Sequence, residues 1–318
     1  MNKTFNIVFL DKATIGNNNN NDIDYSIFDK FGFNITYYDT TSKDQTLKRV
    51  QNQDIIVTNK VVIDKEIMDN SDIKLICVAA TGMNNIDLEY ANSKNIQVKN
   101  VSGYSTSSVV QTTIMLALDL IMSSSYYDDF VKSKEYEKSP IFTNLSKPFF
   151  ELDGKRWGII GLGNIGKEVA KVVSSFGCEV VYYSTSGKNN NSNYQQLTLN
   201  ELLSSCDIIS IHCPLNEQTN NLIAKDELKL LKDNAVLLNL GRGGIINESD
   251  LANCIDSNQN ILVGLDVFSI EPITKDNPLN NLKNKDKIRF TPHIAWASKE
   301  ARRRLVEGIY KNILEFIN

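Results

Sequence analysis

Three polar side chains stand just beyond apolar runs in the last third of the chain: Arg242 in NLGRGGIIN, Glu271 in GLDVFSIEP and His293 in TPHIAWAS. Open α/β sheets bind their ligands at the carboxyl ends of the strands, so all three are placed to meet a small molecule. Their types suit the reduction of an α-keto acid. The planar guanidinium of Arg242 can grip a carboxylate and the neighbouring carbonyl oxygen together. His293 can give a proton to the nascent alkoxide and take it back in the reverse direction. Glu271 can hydrogen-bond the other imidazole nitrogen, fix the ring and favour its acid form. Singly, the three read as a surface charge, a turn and a packed ring; their combination points to catalysis.

A reduction of this kind needs a hydride donor, and Gly161-Leu162-Gly163-Asn164-Ile165-Gly166 offers it a seat. This GxGxxG follows the strand-like RWGII and opens a helical stretch, KEVAKVVSSF, with a further strand at Glu179–Tyr183. Glycines at 161, 163 and 166 permit a tight turn, close approach of a pyrophosphate and close helix–strand packing, while the N–H groups opening the helix at Asn164 and Ile165 face the anion. One part of the fingerprint is missing. Roughly 20 residues past the glycines an Asp or Glu is expected to hold the adenosine ribose, but the chain reads Ser184-Thr185-Ser186-Gly187-Lys188. Hydroxyls and a lysine can meet either a ribose hydroxyl or a 2′-phosphate, so these residues leave both NAD and NADP open. The competing histidine, His212, ends the strand-like DIISIHC where an adenine pocket is expected, and is read as non-catalytic.

The elements that must position these groups fall into two alternations of apolar strand and helical connection. The first runs through Phe5–Leu10, Tyr25–Phe31, Asn34–Tyr38, Asp54–Val57, Ile73–Ala79 and Asn95–Val98. The second begins at Lys155 and predicts five apolar strands in one nucleotide-binding sheet, with helices through Phe176 and around 199–204, 225–231 and 248–254. Between them, Ser107–Met122 is apolar over too wide a face for a surface helix and is expected to be buried on most sides. Ser123–Phe150 reads as an irregular connecting arm, Asn17–Asn21 as a polar loop insertion, and the C-terminal stretch as a returning helix. The expected fold is α/β, with two doubly wound parallel-sheet domains.

Bulk properties agree. A chain of 318 residues, 42% apolar and 23% charged, suits a soluble two-domain globular protein. A formal net charge of −4 gives no overall attraction to nucleic acid or to an anionic membrane. No secretory segment is read at the N-terminus, and nothing approaches the ~18 apolar residues of a membrane span, so a cytoplasmic protein is expected. Five scattered cysteines without a CxxC pair, and two histidines, predict buried reduced thiols and no metal site.

At these residues the sequence resembles the D-isomer-specific 2-hydroxyacid dehydrogenases over nearly its whole length. GLGNIG, HCPLNEQT, LNLGRGG, LDVFSIEP and TPHIAWAS occur in that family's order and spacing. VAATGMNNIDL, DNPL and TPHIAWASKEARRRL bring it nearest the glycerate dehydrogenase/hydroxypyruvate reductase branch. The resemblance implies Arg242, Glu271 and His293 as the catalytic trio, with hydroxypyruvate or glyoxylate reduced to D-glycerate or glycolate. It implies backbone N–H groups at Thr81 and Gly82 for the substrate carboxylate, with Trp296, Asn59 and Lys60 as further pocket candidates. It sets Asp266 near the nicotinamide carboxamide, Leu240 and Gly241 beside the ring, and Cys213, Pro214 and Thr219 along the adenosine. It also implies a substrate domain formed by 1–101 and 292–318, an inserted nucleotide domain at 102–291, and a homodimer joined through that domain, for which Val109–Met122 and the arm are the material. Two departures stand out: Ser184 in place of the usual acidic residue, and Gln111 where many members carry Glu. Alternatives are another 2-keto acid as substrate, or a dinucleotide-sensing scaffold of the corepressor type; the absence of a long C-terminal regulatory domain argues against the larger phosphoglycerate enzymes.

Overall fold

A computed structural model of the chain describes residues 4–16, 22–189, 191, 193–257 and 259–318. The tract Asn17–Asn21 lies outside them. By internal contacts the chain divides into two units, Met1–Ser105 with Trp296–Asn318, and Thr106–Ala295.

The first unit is built on strands β1 (Asn6–Phe9), β2 (Asn34–Tyr37), β3 (Ile55–Thr58), β4 (Leu75–Val78) and β5 (Gln97–Asn100), all parallel in the order β2-β1-β3-β4-β5. Every residue of β3 and β4 is buried, as unbroken apolar runs require in a sheet covered on both faces. Helices α1 (Lys43–Val50), α2 (Lys65–Asp69) and α3 (Leu88–Ser93) make the crossovers. Asp64 and Asp87 cap α2 and α3 through the N–H groups of Ile67 and Tyr90. Tyr25–Phe31, expected as helical, forms a 3-10 helix over Ser26–Phe31.

The second unit opens with α4 (Thr106–Met122) and α5 (Ser124–Lys132). Then follow β6 (Arg156–Ile160), α6 (Asn164–Ser175), β7 (Glu179–Tyr183), β8 (Gln195–Gln196), α7 (Leu199–Ser205), β9 (Ile208–Ile211), α8 (Lys225–Leu228), β10 (Val236–Asn239), α9 (Glu248–Asp256), β11 (Leu262–Leu265) and β12 (Ile288–Phe290). Their parallel sheet has the order β12-β11-β10-β9-β6-β7-β8. The chain winds outward from β6, then returns to start again at β9, so the strand order reverses between these two neighbours, the place where open α/β sheets bind their ligands. One face packs Trp157 and Ile159 against Leu116, Leu120, Val169 and Val173; the other packs Ile209 and Leu237 against Leu202, Leu251 and Ile255.

Seven strands replace the five read from apolar runs. β8 consists of two exposed glutamines, paired to Val181 and Tyr182, with Gln196 accepting the Tyr182 hydroxyl at 3.1 Å. Such a strand carries no apolar signal. β12 is three residues long beside β11. The arm is also less irregular than expected, since 124–132 is helical and 136–138 forms a 3-10 turn. Although α5 buries no side chain, Tyr126 and Phe130 stack one turn apart with centroids 6.3 Å apart, and Lys132 pairs with Asp128 at 2.5 Å. These are contacts that hold a surface helix. The helix expected over 225–231 is shorter, ending at Leu228. In α4, Val109, Val110, Leu116, Ala117, Leu120 and Ile121 are buried, whereas Gln111, Met115 and Met122 are exposed.

The chain finally returns to the first unit as α10 (Lys299–Ile317), capped by Ser298 and buried along Ala301, Leu305, Val306, Ile309 and Ile313. That spacing gives one apolar stripe, which packs on Ile7, Phe9, Ile55 and Leu75. No single helix among the described residues is long and apolar enough to cross a membrane.

Candidate active site

Arg242 stands on a tight turn leaving β10. Asn239, buried at the end of that strand, donates from Nδ2 to the Arg242 carbonyl at 2.9 Å and accepts the Gly241 N–H at 3.0 Å. Its two bonds close the turn. The Arg242 guanidinium in turn donates to the Gly241 carbonyl at 2.8 Å. Glycine is required at 243, because a Cβ there would overlap the carbonyl of Phe268. The turn bearing Arg242 therefore lies backbone to backbone against the loop that bears Glu271.

On that loop, Glu271 Oε1 accepts the Phe268 N–H at 2.9 Å, and Oε2 lies 2.6 Å from His293 Nδ1. A carboxylate can only accept, so Nδ1 carries the hydrogen and Nε2 is the nitrogen turned to other work. The two side chains keep 24% and 29% of their surface, enough to be reached by a small molecule. His293 adopts a φ of 53°, in the left-handed region that costs a side-chain-bearing residue about 1–2 kcal/mol. Asp266 holds it there. Its backbone carbonyl accepts the His293 N–H at 2.8 Å. Its carboxylate accepts Thr291 Oγ1 at 2.6 Å and the N–H groups of Ile294 and Ala295 at 2.9 and 3.0 Å. Burial pushes the Asp266 carboxyl up, and these donors pull it back.

The glycine loop lies at the switch between β6 and β9. Gly161 has a φ of 94°, and a Cβ there would come within 2.7 Å of the Cys213 backbone nitrogen. A Cβ on Gly166 would strike the Gly161 carbonyl. At Gly163, the N-cap of α6, it would meet nothing within 4 Å, and no side chain caps the helix. The N-terminus of α6 is thus open at Gly163, as an approaching pyrophosphate would require, while Ile165 packs against the core. Leu240 is buried against the same core, and a Cβ on Gly241 would come within 2.9 Å of the Cys213 carbonyl.

Ser184 follows β7 and is buried with its Oγ unpartnered, while Thr185 is half-buried. Cys213 is buried, which pushes its thiol up to about 12 and leaves it protonated. Pro214 is exposed, and its carbonyl accepts the Thr219 hydroxyl at 2.7 Å, so Thr219 stitches the loop together. Both ring nitrogens of His212 are buried without a partner, and burial pushes its pKa down to about 3. A ring that stays neutral at physiological pH cannot act there as a proton-donating imidazolium.

In the first unit, Thr81 and Gly82 follow β4, with the Thr81 carbonyl accepting Asn100 Nδ2 at 2.6 Å. Asn59 is buried, donating from Nδ2 to Thr14 Oγ1 at 3.0 Å, and the backbone N–H groups of Asn59 and Lys60 end on the Asp11 carboxylate at 2.9 and 2.6 Å. The Lys60 side chain is exposed. Trp296 packs edge-on against Tyr104, centroids 6.2 Å apart. Sequence reasoning missed Asn239, Thr291 and Asp11. The signal was there: polar residues closing apolar runs must find partners once buried.

A parallel sheet that reverses its winding beside a GxGxxG turn defines the class of dinucleotide-binding α/β folds. Residues 114–295 match the model described as the D-isomer specific 2-hydroxyacid dehydrogenase, NAD binding domain. The chain is 36% identical over 305 residues to a hydroxypyruvate reductase of Blautia hydrogenotrophica, covering 94% of each. It is 35% identical over 266 residues to a glyoxylate reductase of Thermococcus litoralis, covering 82% of this chain and 78% of the relative. Among solved structures, the TT0316 protein of Thermus thermophilus superposes with a TM-score of 0.85 at 26% identity, over 97% of this chain and 96% of the other. The chain belongs to the D-isomer-specific 2-hydroxyacid dehydrogenases and is an NAD-binding oxidoreductase.

Proposed function

We propose that the chain reduces hydroxypyruvate or glyoxylate to D-glycerate or glycolate, and runs the reverse oxidation, with Arg242, Glu271 and His293 as its working residues. The observation that carries this is the contact between His293 Nδ1 and Glu271 Oε2 at 2.6 Å, which frees Nε2 to exchange a proton with a substrate oxygen. A reduced nicotinamide held by the glycine turn would supply the hydride for the carbonyl carbon. Arg242 binds the substrate carboxylate and polarises the carbonyl, and His293 delivers the proton to its oxygen. Glu271 holds the ring at Nδ1 and keeps it oriented. The names borne by the relatives from Blautia and Thermococcus support the choice of substrate.

For the dinucleotide, Gly161, Gly163, Asn164, Ile165 and Gly166 are assigned to the pyrophosphate, and Ser184, Thr185, Cys213, Pro214 and Thr219 to the adenosine. Leu240, Gly241 and Asp266 are assigned to the nicotinamide end. Thr81 and Gly82 are assigned to the substrate carboxylate, with Trp296, Asn59 and Lys60 as pocket residues; the inward bonding of Asn59 makes it the weakest of these. The first unit is then the substrate domain and the second the nucleotide domain. Two copies are proposed to pair through the second unit, supported by the exposed apolar side chains of Met115, Met122, Ile141, Phe142 and Leu145. Four buried free cysteines favour a reducing compartment such as the cytoplasm.

The test is oxidation of NADH, with NADPH in parallel, across a panel of 2-keto acids. Turnover highest with hydroxypyruvate or glyoxylate supports the proposal; highest turnover on a branched or phosphorylated keto acid overturns the substrate assignment.

A further inference from the structure

Glu248 is the first residue of α9, six positions beyond Arg242, and its carboxylate reaches across to the loop that carries Glu271. Oε1 accepts the Ser269 N–H at 2.6 Å, and Oε2 accepts Asn277 Nδ2 at 2.7 Å. The two oxygens thus hold the loop at points on either side of Glu271. Consecutive backbone N–H groups are shared between two carboxylates, Phe268 going to Glu271 and Ser269 to Glu248. Asn277 is itself buried and fixed, since its Oδ1 accepts the Leu279 N–H at 2.9 Å. The same Phe268–Ser269 peptide lies against Gly243, next to Arg242, so closely that a Cβ there would overlap it.

We propose that Glu248 is a positioning residue for the reaction: it sets the height of the 268–271 segment, and through it the angle at which Glu271 meets the His293 ring. This rests on the proposed roles of Glu271 and His293. A glutamine cannot replace Glu248 silently. Whichever way its amide turns, the NH2 faces either the Ser269 N–H or the Asn277 NH2, donor against donor. Turning the Asn277 amide instead would expose its NH2 to the Leu279 N–H and undo that cap.

The experiment is a double-mutant cycle in the full-length enzyme, pairing Glu248→Ala with Glu271→Gln. Turnover is read with NADH and hydroxypyruvate, and the dissociation constant of NADH by its fluorescence. Glu248→Ala is expected to lower kcat about tenfold while changing KM and NADH affinity less than about twofold, because an orienting bond is lost and binding is not. On the Glu271→Gln background the same substitution is expected to cost less than about twofold. An equal loss on both backgrounds, or an unchanged kcat, overturns the positioning role. Should Glu248→Ala fail to fold, the cycle is read with Glu248→Gln, for which a smaller loss of the same coupled pattern is expected. If Glu271→Gln alone leaves kcat unaltered, the pair itself is wrong; if it lowers kcat while the Glu248 variants do not, only this inference falls.

Discussion

The Nδ1 atom of His293 lies 2.6 Å from Oε2 of Glu271, and the second oxygen of that carboxylate is tied to the backbone at Phe268. A hydrogen bond anchored at its far end fixes both the tautomer and the direction of the ring, which is what a proton donor to a substrate oxygen requires.

Replacing Glu271 by Gln keeps the shape and removes the charge. Turnover with hydroxypyruvate is expected to fall by about 10²-fold, within the range such proton transfers contribute, with NADH affinity preserved. Steady-state kinetics beside fluorescence titration measure both, and an unchanged kcat would contradict the assigned role.

Two glycine substitutions should separate folding from binding. Gly243→Ala forces a methyl group into the Phe268 carbonyl and is expected to destabilise the enzyme by about 3 kcal/mol or more. Gly163→Ala points into open space at a φ of −81° that alanine accepts, so stability should change by less than about 0.5 kcal/mol. Its methyl group, however, stands where a pyrophosphate approaches, and NADH should bind about tenfold or more weakly. Thermal melts and titrations of the two variants decide; weak binding in neither would remove Gly163 from the dinucleotide site.

His212 makes a prediction about acid. Its folded pKa is depressed to about 3 by burial, so below the ordinary value near ~6.5 the unfolded chain takes up a proton that the folded one refuses. The stability is therefore full above about pH 6.5 and is lost as pH falls toward 3. Between pH 7 and 5 the wild type should lose about 1–2 kcal/mol more than His212→Phe. Urea unfolding of both proteins at the two pH values tests this, and parallel losses would mean the ring is hydrated in solution.

Much of this was legible in the residues. The apolar runs of β3, β4, β9 and β10 are buried at every position and announce themselves by composition alone. The glycines at 161, 163 and 166 predict a tight turn between a strand and a helix, and β6 and α6 flank them. What could not be read were interactions without periodicity. The glutamines of β8 pair through their backbone, and α5 is held by contacts on its own surface. Two supports of the site, Glu248 and Thr291, act by bonds between loops distant in sequence, to Ser269 and Asn277 and to Asp266, and a single chain gives such pairs no mark beyond a polar letter.

The most direct measurement is single-turnover reduction of hydroxypyruvate by His293→Asn loaded with NADH. The expected result is a rate about 10³-fold below wild type, with NADH bound as tightly as before. A rate within a few-fold of wild type would show that the proton comes from elsewhere, and the pairing of His293 with Glu271 would then be no part of the chemistry.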